Sequence, residues 1–224
     1  MSNFLHLWSI FLGTVVGLLP LINPLAAAPT FLAITEGDSE ARRREQALKG
    51  CLYMVGILVS FLIGGTFIMN FFGISIPGLR IAGGIMLAGI GMNMLATHRS
   101  SDNEKEEREA ARKKVDVSFS PLAMPMLSGP GSIAVTLGFT SLATGPVDYI
   151  AIIAGILVVA VITWVTLRLS GRIVTLIGPV GVSAMTKIMG FLIMCIGVQF
   201  VVNGILGVAT DPELLRGIKA TLAR

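Results

Sequence analysis

The residues of this chain that could do chemistry are prolines, glycines and small polar side chains gathered in two stretches. Prolines interrupt one uncharged tract near residues 20–24 and a second one near residues 121–130. The candidate substrate-binding residues all lie in or beside these two stretches: Pro20, Asn23, Pro24, Ala27, Pro125, Ser128, Gly129, Gly131 and Ser132.

Each proline removes a backbone donor and clashes with the preceding helical turn, so we expect both stretches to break a helix. A half-helix that begins at a break offers free N–H groups to a carboxylate, and one that ends there offers carbonyl groups to an ammonium. Two facing breaks would therefore suit a small zwitterion. The alternative is that the prolines only kink the spans.

Asn23 is the one amide inside the first break, and it can offer both a donor and an acceptor to a ligand. The residue at the same place in the second stretch is Met124, so the predicted site is not strictly symmetric. An interhelical hydrogen bond is the alternative role for this amide.

Around Pro130 the chain is rich in residues that let a ligand approach the main chain. We interpret them as a backbone cradle, with close helix packing as the alternative, and they are Ser128, Gly129, Gly131 and Ser132.

The elements that must position these residues lie in a membrane. Of the 224 residues, 54% are hydrophobic and only 13% are charged, and the mean hydropathy is +0.82. This composition excludes a water-soluble surface, and it makes nucleic-acid binding a poor explanation of the pI near 9.4. Cys51 and Cys195 lie in apolar tracts with no metal-binding spacing, so we predict no metal or cofactor. The two histidines, His6 and His98, sit at span ends without a nucleophile or a carboxylate pair, so we predict no enzyme.

We predict six transmembrane helices in a single integral membrane domain covering residues 1–224. The spans are Leu7 to Thr35 with a break, about 50–72, Ile81 to Ala96, Val117 to Val147 with a break, Tyr149 to Leu167, and Ile188 to Thr210. The stretch from Ile74 to Gly78 and the stretch from Arg168 to Lys187 are predicted to be connections. Residues 98–117 form a charged loop, and residues 211–224 are predicted to form an amphipathic interfacial helix.

Basic residues predict the orientation of these spans. The connections after the first, third and fifth spans carry thirteen of the 17 Lys and Arg residues. Positive charge marks the cytoplasmic side of a membrane protein, so these connections are predicted to be cytoplasmic and both termini to lie outside.

The chain carries an internal duplication. Pro20, Pro24 and Pro29 recur 101 positions later, and Pro77 recurs 102 positions later as Pro179. The two repeats, about residues 1–97 and 118–210, each contain three spans, so the second is predicted to be inverted relative to the first. Inverted repeats with discontinuous first and fourth helices are typical of secondary transporters whose site lies at mid-membrane.

With these residues in hand, the chain resembles the MarC family of integral membrane proteins, also called the small neutral amino acid transporter family. The resemblance rests on four motifs: Leu19-Pro20-Leu21-Ile22-Asn23-Pro24, the run from Gly73 to Gly84, Pro121-Leu122-Ala123-Met124-Pro125 with Gly129-Pro130-Gly131, and Met189-Gly190-Phe191 followed by Ile196-Gly197-Val198-Gln199-Phe200. It implies six spans, inverted repeats, a location in the inner membrane, and transport of glycine, alanine and similar amino acids linked to protons.

The sequence therefore predicts a secondary transporter, an exporter or facilitator, that binds a small neutral amino acid between two broken helices. Ala26, Ala27 and Ala28 leave no large side-chain pocket, which favours a small substrate. The spans offer no obvious carboxylate to carry a coupled proton. The alternative function is a non-transporting membrane scaffold that assembles through its glycine-rich faces and the charged loop.

Overall fold

The computed structural model describes residues 2–96, 116–140 and 142–210, and these residues are almost entirely helical. The helices, in chain order, are α1 (Ser2–Ile22), α2 (Pro24–Ile34), α3 (Glu40–Phe72), α4 (Ile76–Leu95), α5 (Pro130–Thr140), α6 (Pro146–Arg168) and α7 (Ser170–Ala209). The Ser118–Leu127 segment, here called the π segment, winds more widely and precedes α5.

Five helices of the described residues are long and apolar enough to cross a membrane, and the π segment together with α5 gives a sixth candidate span. The all-helical prediction with up to six spans is therefore confirmed within these residues. Most of the outward-facing side chains on the spans are large and apolar, among them Phe67, Ile85 and Ile150. A surface of this kind is stable against lipid and not against water.

The first proline stretch interrupts the helix at a single residue. Helix α1 ends at Ile22, α2 begins at Pro24, and Asn23 between them has a left-handed backbone with φ 40° and ψ 65°. Asparagine adopts this conformation more readily than most residues, and proline is well placed in the first turn of the helix that follows. The local sequence thus explains where the helix stops and restarts.

The second proline stretch disturbs regular helix geometry over many more residues. Ser120 and Met124, which precede Pro121 and Pro125, have extended backbones with φ near −130° (−128° and −132°). Proline disfavours the helical conformation in the residue before it, and both residues follow that rule. The π segment and α5 meet at an angle of 64°.

Helices α4 and α7 pack against each other more closely than any side chain would permit. A Cβ atom added at Gly84 would lie 2.5 Å from the carbonyl oxygen of Gly197, and one added at Gly91 would lie 2.6 Å from that of Gly190. Further along, Gly204 faces the carbonyl oxygen of Pro77. The residue order shows that the two helices run antiparallel, with glycines at the crossing points.

One predicted boundary is wrong at the start of α4. The sequence predicted a loop from Ile74 to Gly78, but the helix begins at Ile76. Ser75 caps the helix because its hydroxyl accepts a hydrogen bond from the Gly78 N–H at 3.2 Å, and Pro77 lies in the first turn. Proline favours that position, so its presence marks a helix start here and not a loop.

The connection predicted from Arg168 to Lys187 is also wrong, because most of it is helical. Helix α7 begins at Ser170 and runs to Ala209 with one interruption at Gly178, where φ is 69° and ψ is 169°. Only glycine adopts such a backbone without strain. The apolar residues before Gly178 therefore form a short separate helix, and the candidate span begins at Val180.

Two predicted features lie outside the described residues: most of the charged loop of residues 98–117 and the amphipathic tail of residues 211–224.

Candidate functional site

Asn23 has one half of its amide occupied and the other half free. Its side-chain oxygen accepts a hydrogen bond from the backbone N–H of Ala26 at 3.3 Å, which caps helix α2. Its Nδ2 group is buried and has no hydrogen-bond partner among the described residues, and the whole residue is 7% exposed. An unpaired buried donor costs free energy, so this group is a candidate for binding a ligand.

Backbone carbonyl groups near Asn23 are the second feature of the first break. Pro24 has no N–H, so the carbonyl of Pro20 cannot receive the usual helical hydrogen bond from it. Pro20 and Pro24 are both buried, and this carbonyl lies at the C-terminal end of α1, where the helix dipole is negative. The first break therefore combines an amide donor with an electronegative helix end.

Ser128 is the corresponding polar group of the second break. Its hydroxyl is buried without a hydrogen-bond partner among the described residues, and the residue is 1% exposed. Its backbone N–H is occupied, because it donates to the carbonyl of Ala123 at 2.8 Å. Ser128 also lines an open cavity of about 430 Å³ whose wall includes Pro125 and Pro130 on one side and Leu79 of α4 on another.

The start of helix α5 adds backbone donors beside Ser128. Pro130 occupies the first position of α5 and has no N–H, and the next two residues are Gly131 and Ser132. The first N–H groups of a helix have no partner within it, and the helix dipole is positive at this end. The hydroxyl of Ser132 donates to the carbonyl of Leu127 at 3.4 Å and so ties α5 back to the π segment.

The two breaks are in contact. A Cβ atom added at Gly131 would lie 3.5 Å from the Cδ2 atom of Leu21, two residues before Asn23. It would also lie 3.1 Å and 3.2 Å from the side chains of Leu87 and Ile90 of α4. Gly131 therefore allows the second break to approach both the first break and α4.

The predicted site residues fall into two groups in this structure. Pro125 and Ser128 line the cavity. Gly129, Gly131 and Ser132 are close to these lining residues in sequence. Asn23, Pro24 and Ala27 are buried around the first break but do not line that cavity. The link between the two groups is the contact of Leu21 with Gly131.

The sequence prediction missed one buried carboxylate. Asp148 is 5% exposed and accepts hydrogen bonds from the backbone N–H of Thr144 at 2.7 Å and from its hydroxyl at 2.8 Å. His6 of α1 lies 3.5 Å from it, measured between Nδ1 and Oδ1. Its position near the start of α6 could have identified it, because an acidic residue there caps free N–H groups. The hydrogen bonds from the backbone indicate a structural role at the start of α6.

No group of histidine, cysteine or carboxylate side chains among the described residues could hold a metal ion.

Comparison with known proteins connects this geometry to one family. The model of the MarC family integral membrane protein matches residues 8–209. The inner membrane protein MarC of Citrobacter koseri is 40% identical over 209 residues, which cover 88% of this chain and 94% of the relative. The protein of the same name from Escherichia coli O1:K1 is 41% identical over the same shares, and that from Escherichia coli K12 is 40% identical. No solved structure gives a significant match. The chain belongs to the MarC family of integral membrane proteins.

Proposed function

We propose that the protein is a secondary transporter that binds a small neutral amino acid, such as glycine or alanine, between the two breaks. The carboxylate would lie at the start of α5, near the N–H groups of Gly131 and Ser132 and the hydroxyl of Ser128. The ammonium group would lie at the C-terminal end of α1, near the carbonyl of Pro20, with the Asn23 amide orienting the substrate.

One observation carries this proposal: two helix breaks touch each other, and each holds a buried polar group without a partner. Asn23 and Ser128 are both more than nine-tenths buried, and both have a free hydrogen-bonding atom among the described residues. The proposal is supported by the closeness of the positive end of α5 to the negative end of α1, since a Cβ atom added at Gly131 would lie 3.5 Å from the Leu21 side chain. The charges of these two helix ends complement the carboxylate and the ammonium group of a small zwitterion.

Packing of α4 against α7 supports the proposed inverted repeats. The local sequences match Gly83 with Gly190 and, after a slip of one residue, Ile90-Gly91 with Ile196-Gly197; if the second match is extended without the slip, Gly84 corresponds to Gly190. Gly84 contacts Gly197, the counterpart of Gly91. Gly91 in turn contacts Gly190, the counterpart of Gly84. Reciprocal contacts of this kind are what a two-fold axis produces. An axis in the membrane plane would relate the repeats as in other transporters.

The same glycines bear on the alternative function as a scaffold. A scaffold that assembled through the glycine-rich faces of α4 would need those faces to be free. Gly83, Gly84 and Gly91 instead contact α5 or α7 of the same chain. The observations therefore favour the transporter.

By similarity to relatives that are called inner membrane proteins, we place the protein in the inner membrane. From the charge distribution we propose that both termini lie on the non-cytoplasmic side. We infer an exporter or facilitator. Proton linkage would need a titratable group, and Asp148 beside His6 is the buried carboxylate available near a span end among the described residues.

Small substrates follow from the space near the breaks. Ala27 and Ala28 of α2 are buried, and a Cβ atom added at Gly131 would lie within 3.5 Å of three side chains. A bound amino acid with a bulky side chain would have to displace these neighbours. We therefore expect glycine and alanine to be accepted and phenylalanine to be rejected.

The test is uptake of labelled glycine and alanine into liposomes that contain the purified protein, under outward and inward substrate gradients and an imposed pH gradient. Asn23→Gly keeps the left-handed backbone but removes the amide, and Ser128→Ala removes the hydroxyl. Each should raise the half-saturating substrate concentration by about 10-fold or more, because a hydrogen bond to a charged group contributes about 1.5–3 kcal/mol.

Ser60→Ala is the matched control, since its exposed hydroxyl donates to the carbonyl of Gly56 in its own helix. Uptake by this variant should equal that of the unchanged protein. Absence of uptake above empty liposomes under every gradient would contradict the transporter proposal. Equal uptake by the Asn23 and Ser128 variants would contradict the proposed site while leaving transport intact.

A further inference from the structure

A basic cavity lies at one end of the helix bundle, away from the two breaks. Its volume is about 310 Å³, and it is formed by the start of α3 and by the junction of α6 with α7. Four arginines and one acidic residue contribute to its wall: Arg43, Arg44, Arg168, Arg172 and Glu40. Arginine forms bidentate hydrogen bonds with phosphate groups, so this composition fits a phosphate-bearing ligand.

The arginines of this cavity differ in whether a protein group pairs with them. Arg44 pairs with Glu40 at 3.1 Å, and Arg43 donates to the hydroxyl of Thr35 at 3.1 Å and to its carbonyl at 3.2 Å. Within the described ranges, no carboxylate lies within ion-pair distance of Arg168 or Arg172. The cavity therefore keeps a positive charge that the described protein groups do not neutralise.

Apolar surface next to the cavity indicates where its ligand comes from. Leu176 follows Arg172 by one helical turn and is 88% exposed, and Val180 just beyond Gly178 is 84% exposed. Side chains four residues apart share one face of a helix, so a charged group and a large apolar group project side by side. A free phosphate ion would use only the arginines, whereas a lipid would use both surfaces.

Arg168 is also positioned by an aromatic ring. Its guanidinium carbon lies 5.3 Å from the centre of the Trp164 ring, a distance at which a cation is attracted to the ring face. Tryptophan is enriched at the level of lipid headgroups. Arg168 therefore lies beside a residue type that is common at the level of lipid headgroups, at the end of the bundle that the charge distribution predicts to be cytoplasmic.

We propose that this cavity binds the headgroup phosphate of an anionic phospholipid, with the acyl chains lying along Leu176 and Val180. Arg168 and Arg172 bind the phosphate oxygens, and Arg43 holds α3 against the end of α2 through its bonds to Thr35. The short helix from Ser170 to Gly178 presents its positive N-terminal end to the same cavity and adds to the attraction. A bound lipid would link α3 to the α6–α7 junction.

The test uses the full chain purified in a neutral detergent and depleted of lipid. Binding is measured by native mass spectrometry and by the rise in Tm as phosphatidylglycerol, phosphatidylcholine or inorganic phosphate is added. Phosphatidylglycerol should bind saturably and raise Tm, whereas phosphatidylcholine and inorganic phosphate should have little effect. In the double variant Arg168→Gln, Arg172→Gln the apparent affinity should fall roughly 30-fold, because each basic residue near an anionic lipid contributes about 1 kcal/mol.

The matched control is the double variant Arg42→Gln, Lys49→Gln, which removes the same charge from outside the cavity wall and away from Val180, and should bind phosphatidylglycerol normally. A second variant, Arg168→Lys with Arg172→Lys, keeps the charge and should retain much of the binding if the first variant is folded. Equal affinity of the glutamine variant and the unchanged protein would overturn the proposal. A saturable effect of inorganic phosphate that phosphatidylglycerol does not exceed would assign the cavity to a free anion. An increase in phosphatidylglycerol binding when residues 102–109 are deleted would show that the acidic loop competes for the arginines, as expected of a site for an anion.

Discussion

The two proposed repeats are most alike where α4 packs against α7 and least alike at the helix breaks. At the packing interface, Gly84 and Gly91 meet Gly197 and Gly190 through reciprocal backbone contacts. At the breaks, one residue interrupts the first helix, whereas the second is interrupted by the ten-residue π segment. If the repeats are related as proposed, the packing interface has glycines at matching positions, while the residues at the breaks, which would contact the substrate, differ.

The divergence at the breaks follows from one residue in each. Asn23 and Met124 both precede a proline that recurs at the same spacing. The asparagine takes a left-handed backbone and caps α2 with its own side chain, and the methionine is extended with φ −132° and ψ 124°. Methionine has no short polar group to bond the following N–H groups. Pro20 and Pro29 also recur but lie inside α1 and α2, so the residue before a proline, and not the proline alone, decides whether and how the helix breaks.

The largest effect is expected from breaking the region where the repeats agree. Gly84→Leu and Gly91→Leu should each destabilise the protein by about 3 kcal/mol, since the new side chain would collide with the backbone of α7. If a two-fold axis relates the repeats, Gly190→Leu and Gly197→Leu should cost similar amounts. Thermal unfolding of the four variants in one detergent measures this.

Gly89→Leu controls for that experiment, because an added Cβ atom at Gly89 would have no heavy atom within 4 Å. Its Tm should stay close to that of the unchanged protein. Strongly unequal losses between the α4 and α7 variants would argue against reciprocal packing.

A middle-sized effect is expected from substituting the residues that differ between the breaks. Asn23→Ala should cost about 2 kcal/mol, because alanine disfavours the left-handed backbone by about 1–2 kcal/mol and cannot cap α2. Met124→Ala should stay within about 0.5 kcal/mol, since its extended backbone suits any residue and the side chain is 37% exposed. Chemical unfolding of both variants compares them. Equal losses would mean that the two breaks are stabilised in the same way.

The smallest effect is expected at the start of the π segment. The Asp116 carboxylate accepts a hydrogen bond from the Ser118 N–H at 2.8 Å and lies 3.9 Å from Lys49. Hydrogen bonding from Ser118 lowers the pKa of Asp116 below its usual value. A lowered pKa means that the charge stabilises the folded state at neutral pH and that this contribution is lost as pH falls through the folded-state pKa.

Asp116→Asn keeps an acceptor and removes the charge, so it should cost less than about 0.5 kcal/mol at pH 7. Because Asp116 is exposed, the difference in Tm from the unchanged protein should shrink further as the pH is lowered toward 3. A difference that grows on acidification would contradict this role for the carboxylate.

Much of the fold could be predicted from the sequence because the signals are local. Gly73 after Phe72 ends α3 with a left-handed backbone, in agreement with the predicted end of the second span at about residue 72. The helix starts at Ile76 and Ser170 are not predicted, because glycine and proline near a helix end are also typical of loops. Ser75 and Pro77 show that such residues also begin helices, and the sequence alone does not separate the two cases.

The candidate site was harder to predict, because its properties depend on what surrounds each residue. That Asn23 is an amide could be seen from its type, but not that one half of it caps α2 while the other half has no partner among the described residues. The burial of Asp148 beside His6 joins residues more than 140 positions apart, and no spacing rule connects them. The basic cavity likewise joins α3 to the α6–α7 junction.

The sequence by itself determined that the chain is an all-helical, multi-span membrane protein and to which family it is similar, and it predicted helix breaks near its prolines. These properties follow from hydropathy and from the chemistry of proline and glycine, which act over a few residues. Only the tertiary structure decided that Leu21 meets Gly131, that α4 and α7 approach through their glycines, and that Arg43 and Arg168 share one cavity. Such contacts depend on the packing of helices distant in sequence, which the identity of single residues does not specify.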